Sequence, residues 1–332
     1  MQMPTELKNL TEKAAEKYQL NVLRAVSRSI TESYMANKGT DTQTTETDVF
    51  GAVYSVVRMP ATYGAVYSAL QHTVECFEMG DSYSLLDVGA GTGAGSAAAS
   101  TLLDISSFTC IEREPEMRRY GEKYLEACPA ASGKTEWKSY DLRSGIKDRA
   151  DILLSSYVLN EMTEQDRIKT VKDMWEHTNK LLLIVEPGTP QAFSQLRRIR
   201  EELLREGAHI AAPCVHEGGC PLFGEDWCHF TVRVQRSKLH RLIKEAAVPY
   251  EDEKFSYIAF AREKTGHIGS RILRHPQIGK GNIGLTLCSP DGCESIVVTK
   301  KDKIAFKEAR KSECGDLFIC NKDQKLRRIN NG

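Results

Sequence analysis

Residues 85–95, LLDVGAGTGAG, decide the fold. Leu85, Leu86 and Val88 flank Asp87 as a short apolar run, and glycines follow at 89, 91, 93 and 95. The run predicts a buried parallel strand. The glycines predict a tight turn in which backbone can approach a ligand closely, ahead of a helix over 96–103. Such a unit sets backbone N–H groups and a helix N-terminus at the carboxyl end of a sheet, where nucleotide-like ligands bind. Asp87 argues against a dinucleotide, because a phosphate-binding turn gains nothing from a carboxylate inside the preceding strand. A ligand carrying cationic groups suits it. The next apolar run, 108–111, ends in Glu112, placed to accept both hydroxyls of a ribose.

Asp87-x-Gly89-x-Gly91-x-Gly93 followed by a strand-end Glu112 resembles the first motif and the next acidic motif of class I methyltransferases. That resemblance implies S-adenosylmethionine as the ligand. Asp87 would meet its sulfonium and ammonium directly or through water, and Glu112 its ribose. Apolar runs at 85–88, 108–111, 152–155 and 181–185 alternate with helical patterns near 96–103, 114–127, 164–178 and 190–206. The alternation predicts an α/β fold with a parallel, doubly wound sheet. Asp141, after an expected third strand, is placed to reach an adenine amino group. The fourth strand closes in SSYVLNEM (155–162), which is not the N/D-P-P-Y/F grip on an exocyclic base amine. No catalytic residue is assigned, and Asn160, Glu161 and Thr163 suit helix capping.

The chain of 332 residues has room for about two domains. Its formal charge is zero but unevenly spread: residues 262–332 hold 15 Lys/Arg against 8 Asp/Glu, so this tail carries +7 and the remainder −7. A basic module suits an anionic partner such as RNA. No apolar run approaches the ~18–20 residues of a membrane span, so no membrane partner is expected. Glu6, Glu12 and Glu16 fit neither a signal peptide nor an acid-poor presequence, which gives the expectation of a cytoplasmic protein. The expected organisation is a helical region over 1–80, with a polar loop at 40–47 and a helix after Pro60. A methyltransferase-like domain follows over 81–262, then a basic, barrel-like β-module over 263–332 with strands at 283–287, 295–299 and 303–306.

Ten cysteines in a reducing compartment point to metal or buried thiols rather than disulfides. Cys214, Cys220 and Cys228 fall within 15 residues of the insertion 211–230, AAPCVHEGGCPLFGEDWCHF, among glycines and prolines that let several sulfurs turn toward one centre. Paired C-x2-C knuckles of structural zinc are missing, and the wider spacing suits an iron–sulfur cluster at least as well. Cys288, Cys293, His216 and His229 are candidates for a fourth ligand. Ala212-Pro213-Cys214 is reminiscent of the nucleophile of RNA cytosine-5 methyltransferases, but it comes after the fifth strand and its helix rather than the fourth.

RMPATY (58–63), LLDVGAGTG (85–93), VLNEM (158–162), VEPGTP (185–190), APCVHEGGCP (212–221), WCHF (227–230) and LCSPDG (287–292) together resemble the methyltransferase-like small-ribosomal-subunit assembly factors. The resemblance runs from about residue 50 to about 318. It implies a four-iron, four-sulfur cluster on Cys214, Cys220, Cys228 and Cys288, with zinc as the alternative metal. It also implies partnership with small-subunit rRNA and assembling ribosomal proteins, the protein being monomeric off the ribosome. The donor site is expected at Asp87, Gly89, Gly91, Gly93, Glu112 and Asp141. Function is accordingly expected in small-subunit assembly and translation, with an active rRNA or protein methyltransferase, or a zinc-stabilised non-catalytic adaptor, as alternatives.

Overall fold

The computed structural model describes residues 1–35, 47–76, 80–222, 224–266, 269–319 and 327–328. The expected polar loop at 40–47 lies outside the described residues except for Thr47. The chain divides into two compact units, one formed by residues 1–71, 80–186 and 232–253 and the other by 72–79, 187–231 and 254–332. This division groups the cysteine-bearing stretch with the basic tail, and 1–71 with the glycine-turn region.

The first unit is built on parallel strands in the order β3-β2-β1-β4-β5, where β1 is Tyr83–Val88, β2 Ile105–Ile111, β3 Thr135–Lys138, β4 Ala150–Ser156 and β5 Thr178–Pro187. Strand β1 lies between β2 and β4, with Asp87 opposite Cys110 on one side and Leu154 on the other. A strand paired on both sides in a parallel sheet is covered on both faces. Accordingly Leu85, Leu86, Asp87 and Val88 are all buried, as are Leu153, Leu154 and residues 181–185. Helices α5 (Ala94–Leu102), α6 (Pro115–Glu126) and α7 (Glu164–Glu176) follow β1, β2 and β4. Pro115 sits in the first turn of α6, where its fixed φ is tolerated, and Thr163 caps α7 by accepting from the Asp166 N–H.

The helical N-terminal stretch comprises α1 (Thr5–Ala15), α2 (Leu20–Met35), α3 (Asp48–Val57) and the start of α4 (Met59–Val74), the last carrying the expected Pro60 at its beginning. Asp48 joins this stretch to α6, accepting from Tyr120 Oη at 2.7 Å and from Lys17, Tyr18 and Arg119. Those donors hold the Asp48 carboxyl well below the usual carboxylate range, against the opposing effect of burial.

In the second unit, α8 (Pro190–Arg205) precedes β6 (His209–Ala212), which pairs antiparallel with the end of β8 (Tyr250–Ala261), β7 being Phe230–Gln235. The tail forms an open antiparallel sheet in the order β13-β9-β11-β12-β14, rather than a closed barrel. Its strands are β9 (Ser270–Ile272), β11 (Asn282–Ser289), β12 (Gly292–Thr299), β13 (Leu317–Phe318) and β14 (Arg327–Arg328), with β10 (Gln277–Ile278) beside β11. One expected strand is corrected: Lys303–Ala309 is a helix, which we number α10 after α9 (Lys238–Lys244). Asp302 caps it by accepting from the Ala305 N–H, and Ala305 and Ala309 face the core at helical spacing. That core joins Ile272, Ile283, Leu285, Leu287, Ile296, Val298 and Phe318. Among the described residues no helix is long and apolar enough to cross a membrane.

Candidate functional site

Each unit presents one candidate site. In the first, β1 delivers the chain into Gly89, Gly91 and Gly93, all with positive φ (71°, 54° and 78°). The N–H groups of Gly89 and Ala90 both donate to the Ile111 carbonyl at 2.9 Å, which ties the turn to the end of β2. A side chain at position 89 would lie 2.3 Å from Val158 Cγ2, so glycine is required there for space as well as for φ.

Asp87 has no exposure to solvent; its Oδ2 accepts from Ser96 N at 3.0 Å and Ser96 Oγ at 2.7 Å, while Oδ1 is buried without a protein partner. Burial pushes its carboxyl up to about 6, against the two Ser96 bonds. Glu112 is engaged by backbone on both oxygens: Oε2 accepts from Gly91 N and Oε1 from Glu114 N, each at 2.8 Å. Burial raises its pKa, and those two bonds oppose the rise. The structure therefore brings Asp87, Gly89, Gly91, Gly93 and Glu112 into one constellation. Asp141 is bonded elsewhere. It caps a short 3-10 turn (Leu142–Ser144) and pairs with Arg143, which pulls its carboxyl down to about 2.

Three residues beside this turn escaped the sequence reading. Tyr157, the residue after β4, is held at φ 60°, a backbone conformation costly for a bulky side chain. Its hydroxyl donates to Glu253 Oε1 at 2.9 Å. Val158 stands against Gly89. Glu186, quoted only within VEPGTP (185–190), is buried and accepts from Leu159 N at 2.9 Å and Asn160 N at 3.2 Å. Burial pushes its carboxyl up to about 8. Arg167 completes the support of this loop, donating to the carbonyls of Leu159 at 2.8 Å and Met162 at 2.6 Å. Because β5 pairs with β4, with Val185 opposite Ser156, the register could have shown that Glu186 lies beside 157–160.

In the second unit, Cys214, Cys220, Cys228 and Cys288 all line one partly open cavity. His216 lines it too, with Nε2 3.8 Å from Cys288 Sγ. Cys293 and His229 are not in the lining; His229 stacks on Trp227 with ring centroids 4.8 Å apart. Cys314 donates to the Leu273 carbonyl at 3.3 Å, and Cys320 lies outside the described residues. Two buried guanidiniums border the cavity. Arg271 donates to the carbonyls of Pro213 (3.0 Å) and Gly315 (2.7 Å) and to Cys76 Sγ (3.3 Å). Arg200 donates to the carbonyls of His216 and Gly218, and its Nε is left without a partner. Burial pushes the Cys214 thiol up, and both guanidiniums pull it back.

Two expectations change here. Among the described residues no group of three or more His, Cys, Asp or Glu side chains is close enough to hold one metal ion: the thiols border a space rather than meet at a point. Arg271, one of the 15 basic residues of the tail from which an anionic partner was expected, is one of the largest fully buried side chains.

Parallel strands ordered 3-2-1-4-5, with a glycine turn after the central β1 and an acid ending β2, define the class I methyltransferase-like fold. The chain belongs to the family described as mitochondrial small ribosomal subunit Rsm22, whose model matches residues 49–319. It is 25% identical to the fission yeast (Schizosaccharomyces pombe) Rsm22-cox11 tandem protein 2, mitochondrial, over 82% of this chain and 44% of that one. It is likewise 25% identical to the human ribosome assembly protein METTL17, mitochondrial, over 82% of this chain and 63% of that one. The match thus spans about half the length of these curated relatives. Among solved structures it is similar to the magnesium protoporphyrin IX methyltransferase of Synechocystis with bound S-adenosylmethionine (13% identity, 61% of this chain and 80% of that one, TM-score 0.39). The mitochondrial family and relatives overturn the expectation of a cytoplasmic protein. That expectation rested on acidic residues near position 1, which carry no information on compartment once the family is known.

Proposed function

We propose that this protein is a small-ribosomal-subunit assembly factor that uses a methyltransferase-like fold to bind rather than to transform. The observation that carries the reading is the extent of the family match, which runs through both units. The human relative is named a ribosome assembly protein. The test is co-sedimentation: tagged protein should travel with small-subunit precursor particles and enrich small-subunit rRNA. Protein found only at the top of the gradient overturns the reading.

At the glycine turn the proposed ligand is S-adenosylmethionine, a cofactor that supplies an electrophilic methyl group when bound. Supporting residues are Gly89, Gly91 and Gly93, whose backbone forms the cradle, and Glu112, which braces Gly91. Asp87, with its orphaned Oδ1, stands beneath the turn. Asp141 belongs to this set only if its pairing with Arg143 opens. No residue near the turn is assigned to proton transfer or nucleophilic attack. Calorimetric titration should show binding by the wild type, weakened about tenfold or more in Glu112→Gln and Asp87→Asn, since bonds to charged groups contribute ~1.5–3 kcal/mol. Absence of wild-type binding removes the ligand from the account.

The cavity of the second unit is proposed to hold a four-iron, four-sulfur cluster on Cys214, Cys220, Cys228 and Cys288. Four cysteines on the border of one cavity suit a group of several atoms, each held by one sulfur. Arg200 and Arg271 oppose, at Cys214, the larger effect of burial that favours the neutral thiol. Anaerobic purification with iron, sulfide and zinc analysis decides between iron–sulfur cluster, zinc and no metal.

The basic tail is proposed to contact rRNA through Lys280, Lys300, Lys301, Lys303 and Lys307, which are exposed. Arg271 is excluded by burial, and Arg274 is engaged with Asp226 and the carbonyls of Trp227 and Leu273.

A further inference from the structure

The hairpin of β11 and β12 sets two cysteines opposite one another at its tip. The register runs Leu287 to Glu294, Cys288 to Cys293 and Ser289 to Gly292, leaving Pro290 and Asp291 in the turn. A two-residue connection makes Ser289 and Gly292 the closing hydrogen-bonded pair. The alternation of an antiparallel ladder then makes Cys288 and Cys293 a non-hydrogen-bonded pair. The Cα atoms of such a pair stand ~4.5 Å apart with both side chains on one face, inside the ~4.4–6.8 Å that a disulfide spans.

Strand period decides which face. Ile283, Leu285 and Leu287 enter the core of the tail. Cys288 therefore points to the opposite face, where it lines the cavity with Cys214, Cys220 and Cys228. Cys293 is exposed. One thiol is reached from solvent, and the other borders the candidate site.

We propose that Cys288 and Cys293 are a reversible thiol–disulfide pair, oxidised by a small disulfide such as oxidised glutathione, and that the closed bond withdraws Cys288 from the cavity. Cys293 thiolate attacks one sulfur of the oxidant, breaking its S–S bond and releasing one glutathione thiolate. Cys288 then attacks Cys293 Sγ of the mixed disulfide and releases the second glutathione. The two protein thiols lose two electrons and two protons, and the oxidant becomes two thiols. The withdrawal rests on the proposed cluster site; the bond itself does not.

Trypsin cleavage after Lys280 and Lys300 yields a peptide, 281–300, that holds both cysteines and no others. Metal-free full-length protein is treated with oxidised glutathione, alkylated and digested. The expected peptide is two hydrogen atoms lighter than the reduced form and carries no alkyl group. In Cys293→Ser, Cys288 should be alkylated. Recovery of a doubly alkylated peptide, of glutathione retained on Cys293 beside an alkylated Cys288, or of Cys288 joined to another cysteine overturns the pair. In a second arm, anaerobically iron-loaded protein should form the bond at least tenfold more slowly. An equal rate in a preparation proven to hold iron overturns the withdrawal. A preparation that takes up no iron defeats the cluster reading instead, and leaves the first arm standing.

Discussion

The glycine turn of the first unit and the cysteine cavity of the second both open where a strand runs into a loop, yet they are held in opposite ways. At the turn, a carboxylate of the protein already satisfies the backbone: Glu112 accepts from Gly91 and Glu114, and the Ile111 carbonyl accepts from Gly89 and Ala90. At the cavity, the bonds come from outside, with Arg200 and Arg271 gripping carbonyls of 213, 216 and 218 while the thiols are left facing a space. The first arrangement is closed by the protein's own groups. The second surrounds an interior with cations and sulfurs.

The largest expected effect breaks the second site. Arg271→Met removes three hydrogen bonds from a buried guanidinium and strands the carbonyls of Pro213 and Gly315. Loss of at least about 3 kcal/mol follows, since each bond to a charged group is worth ~1.5–3 kcal/mol. Denaturant unfolding with proteolysis mapping should locate the loss in the second unit; an unchanged midpoint contradicts this role for Arg271.

The first site should instead reveal itself through pH. Burial raises the Asp87 carboxyl from 3.8 to about 6 in the folded chain, so the folded state binds its proton more tightly than the unfolded one. Its contribution is fully present below about pH 4 and is lost as pH rises through 6, by about 3 kcal/mol at ~1.4 kcal/mol per unit. Asp87→Asn should flatten that fall. A slope between pH 4 and 7 that is the same in wild type and variant refutes the assignment.

Glycines sharpen the comparison further. Gly89→Ala meets Val158 and a positive φ, and should cost about 1–3 kcal/mol. Gly219→Ala in the cysteine loop has no heavy atom within 4 Å of its new methyl group, and should stay within about 0.5 kcal/mol. Equal thermal shifts would show that the two loops are not held differently after all.

The smallest effect on stability is expected at the exposed pair Lys300→Ala with Lys301→Ala, again within about 0.5 kcal/mol. The same change should flatten the salt dependence of rRNA binding, the slope falling by about one for each phosphate that a lysine no longer neutralises. An unaltered slope assigns these lysines to solvent.

The apolar runs at 85–88, 108–111, 152–155 and 181–185 were legible because strands covered on both faces must be continuously apolar, and β1, β2, β4 and β5 contain them. Helix α10 was not, because Lys303-Ile304-Ala305-Phe306 alternates like a strand over the short stretch considered. Asp302 as a cap and Ala309 one turn on carry the helical signal. Asp87 and Glu112 stood out through their position against the glycines. Arg271 could not, since a lone arginine in a basic tail looks like surface, and only the fold supplies the carbonyls that let it be buried. Glu186 was given no role because that role depends on a neighbouring strand.

The order in which the two units use the chain has a consequence for synthesis. The first unit takes its last piece from 232–253, after the chain has already contributed 72–79 and 187–231 to the second. Arg28 pairs with Glu245, and Tyr157 with Glu253, so an early helix waits for a partner more than 200 residues downstream and the residue after β4 for one almost 100 downstream. A nascent chain therefore cannot finish the methyltransferase-like unit and release it before the second begins. The first waits for residue 253 and the second for the stretch after it, and neither can be excised as a continuous fragment.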